Sequence, residues 1–247
     1  LRGFLNRTSI EVIQSSTDRF GFIRRSVDQT AQSGQFAFPL QHGYMLQSPF
    51  AEPRVEPLFL EDAELALFHH FFALEESDAF FAALSAQTEW AQGQIKLYGK
   101  FHNEPRLTVW HGDEGKRYSY SGITLTPRPW TPLLLGIKAR VDAAASIAFN
   151  SVLLNLYRDG RDSNGWHQDN EPELGRNPVI ASVSFGATRR FQMRHKIRKD
   201  LPKVELNLEH GSLLLMTGPT QHFWQHQIPK TARPVGPRIN LTFRVIR

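Results

Sequence analysis

The chain has 247 residues, 40% of them hydrophobic and 21% charged, which suits one sizeable domain with or without an extension. It has no cysteine, which excludes disulfides and thiolate metal ligands, so any bound metal must be held by nitrogen and oxygen. A formal net charge of +5 and a pI near 9.6 favour polyanionic partners such as nucleic acid, and no apolar run approaches the ~20 residues of a membrane span.

Residues 1–55 are rich in Ser, Thr, Gln and Arg and show little periodicity beyond a short apolar spacing at Ile10, Val12 and Ile13. The opening LRGFLNRTS lacks the apolar core and small-residue cleavage site of a signal peptide. The first methionine is Met45, and the segment ahead of it reads as a poorly ordered extension of a working domain spanning 56–247. Leu58–Asp62 looks like a strand entering a turn. Asp62 is then placed to cap a helix over Ala63–His70, and a second amphipathic helix is expected over Ser77–Ala86. Neighbours on a helix diverge, so His69 and His70 cannot both face one metal.

From Gln94 to Gly122 the pattern changes to a hairpin. Residues 95–100 alternate and carry two lysines beside Tyr98. His111–Gly115 reads as a turn, and Tyr118 and Tyr120 then share one strand face. Aromatic rings among basic residues suit stacking on bases and pairing with phosphates, whereas Tyr118 and Tyr120 are equally at home as half-buried strand residues. Pro127, Pro129 and Pro132 interrupt the strand, and a helix packing on a sheet is expected over Leu133–Ala145. Short strands follow at Ser151–Arg158, Val179–Phe185, Phe191–His195, Val204–Leu208, Ser212–Met216 and Arg238–Val245, with Pro229–Pro237 as a loop. This is the pattern of an α+β protein built on a jelly roll with helices against one side.

The chemistry concentrates late in the chain. In NLYRDGRDSNGWHQDNE, over Asn155–Glu171, an extended backbone places His167 and Asp169 on one face. One more imidazole completes two histidines and a carboxylate on one side of a metal, the facial arrangement of non-haem Fe(II) oxygenases. Thr220–Pro229 supplies two candidates, His222 and His226, which share a face if that stretch is extended. In the last strand Arg238, Asn240, Thr242 and Arg244 alternate with Ile239, Leu241, Phe243 and Val245. Two guanidiniums inside a barrel need an anion, and a ligand with two carboxylates matches them; the competing reading is a strand facing solvent. Asn155 and Tyr157, at alternate positions, can donate to the same anion.

Together NLYRDGRDSNGWHQDNE, PVIASVSFGATRRFQMRHK, HGSLLLM, QHQIP and RINLTFR resemble the AlkB family of Fe(II)- and 2-oxoglutarate-dependent nucleic-acid dealkylases. The likeness runs from about Gln94 to Arg247. It extends through LYGK, YSYSG and TLTPRPW, which resemble the subgroup acting on duplex DNA. It implies a double-stranded β-helix over 151–247 with a nucleotide-recognition hairpin lid over 94–122. It implies Fe(II) on His167, Asp169 and His226, and 2-oxoglutarate on Arg238 and Arg244 helped by Asn155, Tyr157 and Thr242, with Asn240 a plausible addition. Tyr98, with Gly99 and Lys100, would fill the gap left by a flipped base. Tyr118 and Tyr120 would line the base pocket, and Asn170 and Glu171 would contact the base or its lid. Asn170 stands where an acidic residue is common in the family, which bears on lesion preference. The implied reaction is oxidative demethylation of N-alkylated bases, consuming O2 and 2-oxoglutarate and releasing formaldehyde, succinate and CO2. The expected partner is alkylated DNA, duplex first and single-stranded DNA or RNA second, met by a monomer with no membrane contact. The expected location is cytoplasmic, on the nucleoid in a bacterium or in the nucleus of a eukaryote. The rival readings are an RNA or protein oxygenase on the same iron scaffold, and a non-catalytic DNA-binding jelly roll with a structural metal.

Overall fold

The computed structural model describes residues 54–247 except 98, 117, 121 and 122. The expected N-terminal extension lies outside the described residues up to residue 53, and Tyr98 lies outside them too. The first part of the described chain comprises β1 (Arg54–Leu60), β2 (Ala63–His69), helix α1 (Leu74–Gln87), β3 (Ala91–Leu97), β4 (Lys100–Gly112), β5 (Tyr118–Tyr120), β6 (Ile123–Leu125) and helix α2 (Pro132–Ala145). Then follow β7 (Ser151–Tyr157), β8 (Asn164–His167), β9 (Ile180–Gly186), β10 (Arg189–His195), β11 (Val204–Leu208) and β12 (Ser212–Thr217). A one-turn helix α3 (Thr220–Phe223), β13 (Trp224–Ile228) and β14 (Arg238–Arg244) complete it.

Among the described residues, the larger sheet runs β1-β2-β12-β9-β14-β7-β4-β3 and a smaller one runs β11-β10-β13-β8. Their named strand pairs are antiparallel. From β7 to β14 the chain crosses between the two sheets at every step except the β10–β11 hairpin, which stays in the smaller sheet, as in a jelly roll. The residue pattern explains the layering. On β14, Ile239, Leu241 and Phe243 join Val152 and Leu154 of β7 and Val183 and Phe185 of β9 in a core that also takes Leu84 of α1 and Leu134, Ile137 and Val141 of α2. The opposite faces meet the smaller sheet, where Ile180, Leu214 and Met216 pack with Phe191, Met193, Leu208, Trp224 and Ile228. Because both faces of the large sheet are covered, all seven residues of β14 are buried, which rules out a solvent-facing strand. Helix α2 starts where Thr131 Oγ1 accepts from Leu134 N–H at 3.2 Å, with Pro132 at the first helical position, where its missing N–H costs nothing. Leu154 is fully buried between sheet and helices, so Leu154→Ala should lower unfolding free energy by about 2–5 kcal/mol in urea titration. A loss below about 1 kcal/mol would mean that this layer is not the core of the domain.

One expected element is corrected. Ala63–His69 is strand β2, not a helix. Its Ala, Glu and Leu favour helix in isolation, but its alternation serves two layers. Leu65 and Leu67 enter the core between the sheets, while Phe68 packs on the helix side. Pairing with β1 on one edge and β12 on the other supplies the backbone partners. Asp62 is therefore no helix cap; it sits at φ 57° in the tight turn joining β1 to β2. The turn expected at His111 also starts later, since β4 continues to Gly112.

Candidate active site

The smaller sheet brings the two imidazoles together. His167 ends β8 and pairs directly with His226 of β13, and their ring centroids are 4.2 Å apart. Asp169 lies just past the end of β8 and is held there by the α3 turn. Its N–H donates to Gln221 Oε1 at 3.0 Å, and Gln168 Nε2 donates to the carbonyls of Gln221 and His222 at 2.8 and 3.1 Å. One ligand atom from each of His167, Asp169 and His226 lies within 4.8 Å of the other two, the metal-sized cluster found among the described residues. His226 Nε2 is 3.8 Å from Asp169 Oδ2. His222 does not share that face. The stretch is not extended throughout, and α3 turns His222 away to accept from Asn177 N–H at 3.3 Å. His69 is also elsewhere, between Glu56 and Glu209.

Protonation suits metal binding. Burial, then neighbouring His167, push His226 down to about 3 against the pull of Asp169, so it is neutral at pH 7. Burial works against ionisation of Asp169, but the Arg244 guanidinium and the His226 and His167 imidazoles together outweigh it and lower the carboxyl to about 2. Arg244 Nη2 donates to Asp169 Oδ1 at 2.8 Å, which leaves Oδ2 on the side of His226. His167 Nδ1 lies 2.8 Å from the Gly165 carbonyl, a bond that needs the proton on Nδ1 and keeps the Nε2 lone pair as the ligand. Asn164 Nδ2 is 3.2 Å from that Nε2 and must yield to a metal.

The larger sheet supplies the cationic wall. In register, Arg238 faces Tyr157, Asn240 faces Asn155 and Arg244 faces Ser151 across β14 and β7. Of these, Asn155, Tyr157, Arg238, Asn240 and Arg244 line a cavity of about 460 Å³ that reaches His167, Asp169 and His226. Arg238 is buried, its Nη2 donating to Ser184 Oγ at 2.9 Å and its guanidinium 5.2 Å from the Tyr157 ring centre. Burial lowers it to about 10, so it remains a cation at pH 7. Its Nε and Nη1 are buried with no hydrogen-bond partner. Unmet donors on a buried cation are costly, and a carboxylate ligand satisfies both. The donor set therefore fits an anion of the 2-oxoglutarate type, and the two histidines and carboxylate fit Fe(II). Asn240 is differently engaged from the expectation. Its Nδ2 donates to Ser182 Oγ and the Val183 carbonyl at 2.8 and 2.9 Å, and its Oδ1 accepts from Thr242 at 3.0 Å. It braces the wall instead of presenting a free amide.

A second cavity, about 620 Å³, adjoins the first and shares His167, Asp169 and Arg244 with it. Glu104, Arg106, Thr108 and Trp110 form its wall on β4, facing Leu153 and Ile246. The sequence reading missed these residues. Their period-two spacing was visible, but only the pairing of β4 with β7 aims that face at the metal cluster. Of the expected substrate contacts, Gly99 takes φ 80° in the turn between β3 and β4, and Lys100 opens β4 exposed. Tyr118 and Tyr120 lie on β5, paired with β6; their side chains are outside the described set. Asn170 is exposed, and Glu171 keeps a buried Oε2 without a hydrogen-bond partner.

Comparison with known proteins agrees with this geometry. Residues 64–244 match the 2OG-Fe(II) oxygenase superfamily. Alpha-ketoglutarate-dependent dioxygenase alkB homolog 3 of Bos taurus is 44% identical over 184 residues, 71% of this chain and 64% of that protein. DNA oxidative demethylase ALKBH2 of Mus musculus is also 44% identical over 184 residues, covering 71% of this chain and 77% of that protein. This chain thus spans just under two thirds of the length of the bovine relative. The solved structure of OsALKBH1 shares the fold at a TM-score of 0.54 and 16% identity, covering 77% of this chain and 100% of that one. With residues 64–244 matched and 44% identity to the bovine and mouse proteins, the chain belongs to the 2OG-Fe(II) oxygenase superfamily and, within it, to the AlkB family of Fe(II)- and 2-oxoglutarate-dependent dioxygenases.

Proposed function

We propose that this protein repairs DNA directly, by oxidative removal of alkyl groups from ring nitrogens of its bases. The observation that carries this reading is the meeting of two cavities at one metal cluster. The cationic one suits 2-oxoglutarate, and the one walled by Trp110, Leu153 and Ile246 suits a flat base. The mouse relative's name, DNA oxidative demethylase, supports the same substrate class. His167, Asp169 and His226 would hold Fe(II), and Arg238 with Asn155 and Tyr157 would hold 2-oxoglutarate beside it. Bound there, iron and cosubstrate supply hydroxylation of the N-linked methyl group, whose hemiaminal product releases formaldehyde. The protein's part is placement. Arg244 orients Asp169, and the apolar side chains of Trp110, Leu153 and Ile246 exclude water from the base.

The direct test supplies N-methylated and unmethylated oligonucleotides with Fe(II) and 2-oxoglutarate. Formaldehyde and succinate should form together, and only with the methylated strand; succinate without repaired base would end the reading. Duplex DNA is the preferred substrate in this proposal. A base inside a duplex must leave the stack at a cost of roughly a few kcal/mol, and an aromatic side chain filling the gap offsets it. Tyr98, which precedes Gly99 in sequence, is the aromatic residue proposed for that role. Tyr98→Ala should therefore cut kcat/KM on duplex about tenfold more than on single strands, consistent with ~1–3 kcal/mol per stacked base. Equal losses on the two substrates would remove Tyr98 from the wedge role.

A further inference from the structure

The wall between the two cavities contains a chain of polar contacts that neither the metal nor the arginines of β14 explain. Glu104 and Arg106 form an ion pair at 3.0 Å, with both side chains more than nine-tenths buried. Arg106 Nε then donates to Asn155 Oδ1 at 2.8 Å. Thr108 stands opposite Asn155 in the β4–β7 register, so Arg106, two positions away on the same face, reaches Asn155 diagonally. The pair is itself clamped. Gln92 Nε2 donates to the Glu104 and Arg106 carbonyls at 2.6 and 3.2 Å, across an irregularity in the β3–β4 pairing. Gly93 sits at that irregularity, and a Cβ there would overlap the Glu104 carboxylate.

The chemistry of the three groups fixes an orientation. A carboxamide has an accepting end and a donating end, nearly equal in size, and packing alone does not choose between them. A guanidinium only donates. Arg106 must therefore meet the carbonyl end of Asn155, which sends Nδ2 the other way. Asn155 lines the cationic cavity, while Glu104 and Arg106 line the neighbouring one. We infer that Arg106, held by Glu104, is a positioning residue that locks the Asn155 carboxamide with its amino end toward 2-oxoglutarate. With the lock removed, Asn155 is free to turn its oxygen to the ligand's carboxylate, exchanging a hydrogen bond for a repulsion. The inference rests on the reading of the cationic cavity as the cosubstrate site.

Arg106→Met alone leaves Glu104 buried without a partner and endangers folding. The test therefore uses the apolar pair Glu104→Leu/Arg106→Met, with Asn155→Ala and the triple variant. The readout is calorimetric affinity for 2-oxoglutarate in the Mn(II)-loaded protein, which needs no turnover. Melting temperature and circular dichroism report the fold. The apolar pair should fold and bind 2-oxoglutarate about tenfold more weakly, the worth of one charge-assisted hydrogen bond. Asn155→Ala should cost a similar factor, and the triple variant no more than Asn155→Ala, because Arg106 acts only through Asn155. Losses that multiply in the triple variant overturn the lock, as does full affinity in the apolar pair. Failure of the apolar pair to fold overturns it as well, by making the pair a structural strut. Failure of the unaltered protein to bind 2-oxoglutarate overturns the cosubstrate assignment itself, and the lock with it.

Discussion

Asp169→Asn should reduce formaldehyde release by at least about 1,000-fold while leaving the fold intact, beyond the ~10–100-fold that loss of an outer-shell partner costs a metal site. The choice of asparagine matters. Asp169 has two tasks: Oδ2 lies on the side of His226, where the metal belongs, and Oδ1 accepts from Arg244 at 2.8 Å. An amide of the same shape keeps an acceptor for Arg244 but lacks the charge that holds a divalent ion beside two neutral imidazoles. Asp169→Ala removes both and breaks the buried ion pair with Arg244, so it should lose activity and also about 3–5 kcal/mol of stability. Comparing the variants separates metal binding from scaffolding. Mn(II) affinity, measured by calorimetry, should collapse in both, whereas the melting temperature should fall steeply only in the alanine variant. An asparagine variant that binds Mn(II) as tightly as the parent, or that keeps a tenth of its turnover, would remove Asp169 from the metal.

The same residues show what a sequence discloses and where it stops. The division of β14 into an apolar and a polar face was legible because a strand's period is two and all seven residues obey it. That both faces are buried was not, because it depends on α1, α2 and the smaller sheet closing over them. His167 and Asp169 were legible as a pair, although Asp169 lies beyond the end of β8 and reaches the cluster through the grip of Gln221, not by strand parity. Parity could not choose between His222 and His226. The α3 turn chooses, and four residues of helix inside a histidine-rich run leave little trace in composition. Strand β2 failed for the opposite reason, since its residues favour helix locally and only its neighbours on both edges overrule them. Glu104 and Arg106 went unnoticed because their importance lies in a cross-strand contact with Asn155, 49 residues away from Arg106 in sequence.

Arg238→Met should weaken 2-oxoglutarate binding by about 100-fold or more while leaving the ligand-free protein as stable as the parent, or more so. Arg238 is 1% exposed, and without a ligand its Nε and Nη1 have no partner. A buried cation in that state opposes folding, and a thioether of similar length relieves it at the cost of the bond to Ser184 Oγ. A gain of ~1 kcal/mol would raise the melting temperature by about 2–4 °C in a domain of this size. In the parent, 2-oxoglutarate with Mn(II) should raise the melting temperature by mass action, since the ligand binds only the folded state. In the variant that rise should nearly vanish. The two shifts have opposite signs, so no general damage to the fold can imitate them: damage lowers the ligand-free melting temperature, whereas loss of a ligand's counter-ion does not. A variant that melts well below the parent without ligand, yet is still stabilised by 2-oxoglutarate, would show that Arg238 serves the barrel and that the cosubstrate's carboxylate is held elsewhere.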